Sequence, residues 1–434
     1  MTDDIINAKN LLNNNNRQNY TIPSNNLYPH QWSWDSAWII YGYCITKEFE
    51  KAENEMYSLF NYQWLNGLVP SIVFHNLENN TYFPGPAIWE LDVTANHLTK
   101  NITTTGIVQP PLHASACLKL FEYSNNKDFL IKIYPKLLKW HKYLYNERDI
   151  HDEGLVYIRH PWESGMDNSP IWDESLNRIK ISESEYKYSK LRTDNKKVNA
   201  EERPTDITYE RYLNLIELFK ECKFNEQLIY KKSEFIIQDV LFNSLLLNSN
   251  YALLEIAKIL DYKNDILLIN HWINKTKLSF ENKFFKNDFY YDFDLKENKL
   301  IEIKTISGLS SILVCNKYET IKKTLENNFI DIQSNNYNIS SLDRKHNSYN
   351  SINYWRGPMW INLSWLIING LEKYNYLDLS NKIKENCIKK IKEIGYYEYF
   401  DSNDTENKLT AGCGDNSFSW TAAILICMLS DIQL

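Results

Sequence analysis

Two segments distant in the chain each set a carboxylate among aromatic rings. In HPWESGMDNSP (160–170), Glu163 and Asp167 stand four apart beside Trp162 and Met166. On a helix both would share one face, but Gly165 and Pro170 argue for a turn. A carboxyl packed against Trp162 and Met166 loses solvation, so its pKa rises. It then stays protonated near neutral pH, as a general acid must. In YYEYFD (396–401), Glu398 lies among Tyr396, Tyr397, Tyr399 and Phe400. A carboxylate there can orient a water and accept its proton. Each motif taken alone also has a structural reading, as a helix cap or a helix-end carboxylate in an aromatic core. Taken together they match glycosidic-bond hydrolysis, which needs two carboxyls of contrasting pKa, usually from distant segments.

A third segment, QWSWDS, holds Trp32, Trp34 and Asp35. Indole faces cover the apolar side of a sugar, and a carboxylate accepts bonds from two hydroxyls. The alternative is a pair of core tryptophans, with Asp35 as N-cap of the run SAWIIYGY. Trp162 and, in NYWRGPMW (353–360), Tyr354, Trp355 and Trp360 add further ring faces, and QPPLHA (109–114) adds Gln109. Other chemistries lack their residues. None of the nine His is spaced as HExxH, and no metal site or cofactor is expected. GCGDN lacks the Lys-Ser/Thr of a phosphate loop. Neither GxSxG nor GxGxxG occurs.

Helices must position these loops. Phe49, Ala52, Met56, Leu59 and Phe60 recur at helical spacing, as do Leu130, Tyr134, Leu137, His141 and Leu144, and Ile207, Leu213, Ile216 and Phe219. Further helices are expected over 226–247, 251–261, 363–375, 379–395 and 419–432, with breaks at 124–127 and 221–225. The alternating stretch 280–305 predicts a hairpin, and Asn13–Asn16 a surface loop. The charged segment 180–202 reads as a long loop. Short helices and short loops over more than 400 residues suggest a helix-pair toroid or solenoid, without a repeat clear enough to specify a solenoid. The polar-aromatic motifs fall in the breaks, where a helical scaffold can gather them at one end.

Composition narrows the function class. Gly is only 12 of 434 residues, against a usual share of about 7%. That disfavours a turn-rich β fold and a glycine-dependent nucleotide fold. Aromatics reach 14%, with 13 Trp and 30 Tyr, which suits stacking on sugar rings. A net charge of −7 argues against a nucleic-acid partner. No run approaches the ~20 apolar residues of a membrane span, and the polar start MTDDIINAKN has no signal-peptide pattern. Seven scattered Cys point to a reducing cytoplasm. Nothing in the composition decides between a monomer and a homo-oligomer.

In their order, LYPHQWSWDS, QPPLHA, WESGMDNSP, NYWRGPMW and EYFD…FSWTAA make the chain resemble the bacterial and plant mannosylglycerate and glucosylglycerate hydrolases of glycoside hydrolase family 63. The likeness runs from about residue 20 to 425. It implies an (α/α)6 toroid of the trehalase clan, all-α dominated, as one domain over 1–434 with 180–202 as a flexible loop or lid. It also implies an inverting enzyme on a small anionic glycoside, with Asp167 as general acid and Glu398 as general base. Tyr28, Trp32, Trp34, Asp35, Tyr82, Gln109, Gly165, Tyr354 and Trp355 match ligand-contacting positions. Arg203 and Tyr209, in ERPTDITY, match the pair that holds the glycerate carboxylate, a role suited to the guanidinium fork. The polar stretch 402–416 departs from a glycine-rich loop in the relatives. Competing readings are the same chemistry on an uncharged α-glucoside (trehalose, a kojibiose-type disaccharide or glucosylglycerol), a non-catalytic sugar-binding protein on the same toroid, and a sugar epimerase. An epimerase would need His acid/base pairs that these loops do not supply.

Overall fold

Two kinds of helix alternate along the chain, and their faces dictate the architecture. Ser33–Ile45 and Ser419–Leu429 are apolar around nearly their whole circumference and almost wholly buried. Phe49–Phe60 and Leu377–Ile394 bury one side only. A helix apolar on all sides needs neighbours on all sides, whereas a one-sided helix can face water. In the computed structural model, residues 2–76, 81–89, 104–404 and 409–430 are described.

Among these residues an inner ring forms from Ser33–Ile45, His113–Ser124, Val240–Ile259, the short Ile306–Ser310 with its 3₁₀ extension Ser311–Leu313, Ile361–Lys373 and Ser419–Leu429. Each packs on the next, and the last packs on the first. Asp3–Asn15, Phe49–Phe60, Lys127–Glu147, Lys263–Phe284, Tyr318–Thr324 and Leu377–Ile394 lie outside, each against an inner neighbour in sequence or across the closure. The result is the expected (α/α)6 toroid. The Asp206–Glu221 helix belongs to the long excursion between the Lys127–Glu147 and Val240–Ile259 helices.

Strands are short and serve as clips. Gln31–Trp32 pairs antiparallel with Ile72–Val73, placing Trp32 opposite Ile72. Tyr399–Phe400 pairs with Gly412–Cys413, placing Tyr399 opposite Cys413. An isolated bridge joins Met359 to Phe400. These clips hold chain ends beside the inner helix starts.

The sequence reading holds for the Phe49–Phe60, Lys127–Glu147, Asp206–Glu221, Ile361–Lys373, Leu377–Ile394 and Ser419–Leu429 helices. It fails where polar residues interrupt an apolar run. The expected helix 226–247 is two, Glu226–Lys232 and Val240–Ile259, separated by the strand Ile237–Gln238. Asp239 caps the second by accepting from the Phe242 amide, and 251–261 is its C-terminal part. Lys263–Phe284 is a helix that the periodicity does not announce, although Ile269, Trp272, Ile273, Thr276 and Phe280 bury one face. It consumes the start of the expected hairpin region, which continues as Phe285–Lys286 with Phe289–Tyr290 and as Phe293–Asp294 with Lys299–Leu300. Asn13–Asn16 is not a surface loop. The first helix runs to Asn15, whose buried amide donates to Ser417 O (2.9 Å) and Ser419 Oγ (2.9 Å).

Asp239 and Asp292 are packed together between two inner helices. Asp292 Oδ1 accepts from Val240 N (2.7 Å) and Ser307 Oγ (3.0 Å). Burial drives both carboxyls above the ordinary range, and each hydrogen-bonds to the other, so the pair retains a proton. A folded pKa above the unfolded one stabilises below the unfolded value, and that contribution is lost as pH rises through the folded value. Asp292→Asn keeps both Oδ1 bonds and offers Nδ2–H to Asp239. Urea unfolding between about pH 5 and about pH 8 is expected to show native stability falling with pH more steeply in the natural protein than in this variant.

Candidate active site

The starts of four inner helices open onto one cavity. Trp32, Trp34 and Asp35 sit at the start of Ser33–Ile45, Gln109 just before His113–Ser124, Trp360 just before Ile361–Lys373, and Phe418 and Trp420 at the start of Ser419–Leu429. About 660 Å³ of space, part of it open to solvent, lies between its walls. Tyr28, Trp32, Trp34, Asp35, Tyr82, Gln109, Trp162, Gly165, Asp167, Tyr354, Trp355, Trp360 and Glu398 all line it. Trp360 stacks on Trp355 (3.6 Å between ring centres) and on Tyr399 (4.6 Å), which gives one wall a rigid aromatic layer.

Asp35 does not cap the following helix. That helix begins two residues earlier, at Ser33, and Asp35 lies within its first turn. Gln109 Oε1 accepts from Trp34 N (3.2 Å) instead. The Asp35 carboxyl is buried and raised well above the ordinary range by desolvation, with the Glu398 charge adding to the rise.

In HPWESGMDNSP the two carboxylates have separate tasks. Pro161–Glu163 is a 3₁₀ turn, as the Gly and Pro content implied. Glu163 is fully buried under the loop. It accepts from Arg148 Nη1 (3.0 Å) and Nη2 (2.9 Å), Val108 N (3.2 Å) and Arg159 N (2.7 Å). Burial alone would raise its pKa, but Arg148 overrides it and holds the carboxylate below the ordinary range. Glu163 therefore ties the loop to the segment just before Gln109, at Val108. Asp167 faces the cavity, and its carboxyl is pushed up to about 7, first by burial and then by the Glu398 charge. Its peptide oxygen accepts from Tyr212 OH (2.6 Å). Asn168 joins this loop to the next one through Trp355 N (2.9 Å) and Asn353 (3.1 Å). Gly165 has φ +74°, and a Cβ there would lie 2.4 Å from Trp34 Cη2. Both backbone and contact require glycine.

Glu398 is bonded at both carboxylate oxygens. Oε1 accepts from Tyr28 OH (2.8 Å) and Tyr354 OH (3.2 Å), and Oε2 from Arg203 Nη2 (3.0 Å). Burial raises its pKa, while Arg203 and the Tyr28 hydroxyl oppose the rise. Tyr354 adopts φ +36°, a strained conformation for a non-glycine residue. Its ring also carries the Arg203 guanidinium, 4.6 Å from the ring centre.

Two expected residues fall outside the cavity lining. Arg203 stands behind Glu398, with Nη1 on Tyr28 OH (3.1 Å) and Nη2 on Glu398. The Tyr209 hydroxyl donates to Phe83 O (3.0 Å), and its ring lies under the Arg192 cation. The structure therefore does not assemble Arg203 and Tyr209 as one open fork, because both terminal nitrogens of Arg203 and the Tyr209 hydroxyl already have protein partners. Sequence reasoning missed Trp89 and Trp420 in the cavity wall. Trp420 was visible in the FSW motif, whereas Trp89 carries no local signal. It also missed Gly414, whose role depends on tertiary approach. That residue has φ +70°, and a Cβ would lie 2.3 Å from Glu398 Oε2.

An aromatic cavity holding carboxyls of unlike surroundings on a helical toroid defines a glycoside hydrolase, an enzyme acting on O-glycosyl bonds. Residues 28–421 match the model of the mannosylglycerate hydrolase MGH1-like glycoside hydrolase domain, and the chain belongs to that family. A mannosylglycerate hydrolase of Rubrobacter radiotolerans is 37% identical, over 98% of this chain and 96% of its own. A glucosylglycerate hydrolase of Mycolicibacterium hassiacum is 29% identical, over 96% and 95% respectively. The crystal structure of the family 63 mannosylglycerate hydrolase from Thermus thermophilus with Tris and D-glycerate superposes with a TM-score of 0.88, at 33% identity, over 98% of this chain and 100% of the other.

Gly414→Ala is expected to force Glu398 Oε2 aside and strain the backbone, lowering kcat by about tenfold or more. The thermal midpoint should fall only modestly, by the few degrees that about 1–2 kcal/mol produces. Steady-state kinetics beside a thermal melt checks both.

Proposed function

We propose that this protein hydrolyses the α-glycosidic bond of mannosylglycerate, of glucosylglycerate, or of both, with inversion, releasing glycerate and the free hexose. The observation that carries the reading is the presence of Asp167 and Glu398 in one aromatic cavity, with Glu398 and not Asp167 ion-paired to Arg203. Asp167 is held protonated near neutrality by burial and a neighbouring negative charge. Burial raises the Glu398 carboxyl as well, while a bonded cation and phenol donors oppose that rise. The glycerate aglycone follows from the related mannosylglycerate and glucosylglycerate hydrolases and from the D-glycerate in the Thermus structure.

In this scheme water attacks the anomeric carbon while Asp167 donates its proton to the departing glycerate oxygen. Glu398 accepts the proton of the attacking water from the opposite face of the sugar. A separation of roughly 6.5–9.5 Å between the carboxyls is what inversion requires. Asp35 and the Trp32 and Trp34 rings hold the hexose. Arg203 is the cation proposed to meet the glycerate carboxylate, through a buried Nε that has no protein partner. The engagement of both its terminal nitrogens by Glu398 and Tyr28 favours a second reading, the same chemistry on an uncharged α-glucoside. Free thiols at all seven cysteines support a cytoplasmic location, and the excursion over 180–202 is proposed as a cover of the cavity.

Asp167→Asn and Glu398→Gln are each expected to lower kcat by about 10²-fold or more with the fold intact. Near-normal turnover in either variant sinks the assignment. Running mannosylglycerate, glucosylglycerate, glucosylglycerol and trehalose side by side, with NMR of fresh product for the β-anomer, decides substrate and stereochemistry.

A general acid works only while protonated. Since the Asp167 carboxyl titrates at about 7, kcat/KM is expected to decline as pH rises through that value. On the acid side activity should fall as Glu398 takes up a proton. A pH profile flat from about pH 6 to about pH 9 would remove Asp167 from this role.

A further inference from the structure

The segment before Arg203 is a chain of single turns, Glu183–Glu185, Ser189–Leu191, Asp194–Lys197 and Ala200–Glu202, and it is bonded to several separate parts of the cavity rim. Lys197 Nζ donates to Asn26 O (2.6 Å) and Thr81 O (2.9 Å). Glu201 O accepts from Asn353 Nδ2 (3.1 Å). The next two residues, Glu202 and Arg203, converge on the Glu398 loop. Glu202 Oε2 accepts from Gly414 N (3.1 Å) and Tyr399 OH (3.2 Å). Gly414 is the residue at which any Cβ would meet Glu398 Oε2, and Tyr399 follows Glu398 in the chain. Arg203 then bonds Glu398 Oε2 itself and Tyr28 OH.

We infer that Glu202 and Arg203 form a positioning pair for the general base, Glu202 fixing the loop behind Glu398 and Arg203 holding its carboxylate ionised and aimed. The inference rests on the reading of Glu398 as base. It adds to Arg203 a task that does not depend on the aglycone. An arginine present only to bind a leaving carboxylate has no reason to place a terminal nitrogen on the base, nor to be adjacent to a residue that clasps the loop behind that base.

Several groups bear on the charge of Glu398. Arg203 and the Tyr28 hydroxyl favour the carboxylate, and Asp415 disfavours it. Tyr354 also donates to it. Asp35, Asp167 and Tyr399 share its field. Arg203 is the cation bonded to Glu398 within this set, so its loss moves protonation of the base to higher pH.

The test uses full-length protein with two substrates, the hexosylglycerate and the matching α-hexosyl fluoride, an uncharged substrate that carries no carboxylate to clamp and whose fluoride departs with little acid assistance. For Arg203→Gln, kcat is expected to drop about tenfold or more on both, and the acid limb of the kcat profile to move up by roughly one pH unit. Arg203→Lys, which keeps the charge but cannot bridge Glu398 and Tyr28, should recover part of the limb position. Glu202→Ala should shift the limb in the same direction by less, and Glu202→Gln, whose amide oxygen can still accept, should restore it. Thermal melts identify a variant that has merely lost its fold, and the remaining three then carry the test. If Arg203→Gln raises KM for the glycerate substrate alone, with kcat and the acid limb unmoved, Arg203 is only an aglycone clamp and the inference falls. Glu398→Gln is measured alongside. Near-normal turnover there overturns the base assignment, whereas an inactive Glu398→Gln with an unmoved limb in Arg203→Gln overturns this inference alone.

Discussion

Inner helices that are apolar around their whole girth leave only their ends free for polar groups. The sides of Ser33–Ile45 and Ser419–Leu429 are covered by neighbouring helices. A ring of such helices, closed on itself, can therefore gather polar chemistry only where its loops emerge. The N-terminal ends carry unsatisfied peptide N–H groups and the positive pole of the helix dipole. That end is where the carboxyls Asp35, Asp167 and Glu398 meet. The arrangement places negative groups where the backbone favours them, and a dry aromatic wall then raises the pKa of each.

Burying several acids in one apolar cavity is costly unless each has a distinct partner or keeps its proton. The protein uses both solutions. Glu163 is neutralised by Arg148 and Arg159 below the floor of the site, and Glu226 completes a fully buried group of two cations and two anions. Glu398 has Arg203 and two phenols. Asp167 receives Arg203's charge only through space and lies near neutrality in its titration. The contrast between the two carboxyls is thus a matter of which one receives the nearby cation.

Much of the site was legible before any coordinates. Glu398, Asp167 and the tryptophan-bearing loops stood out because Trp, Gly, Pro and carboxylate residues cluster in breaks between helical runs. Glu163 and Asp167 could not be separated that way. Both sit in one motif beside the same tryptophan, and the arginines that claim Glu163 lie 15 and 4 residues earlier in the chain, with no spacing that marks them. Gly414 escaped for a similar reason, since its value is a contact with a side chain sixteen positions away across a loop.

By itself the sequence determined the helical class, the faces of the long amphipathic helices and the identity of the residues able to do acid–base work. These follow from local periodicity and from residue chemistry, which need no partner to be expressed. Tertiary structure decided which of two neighbouring carboxylates faces the cavity, that Tyr209 supports the wall at Phe83, and that Arg203 rests on Glu398. Each of those outcomes depends on competition among groups brought together from distant segments, where burial, charge and available donors set the winner.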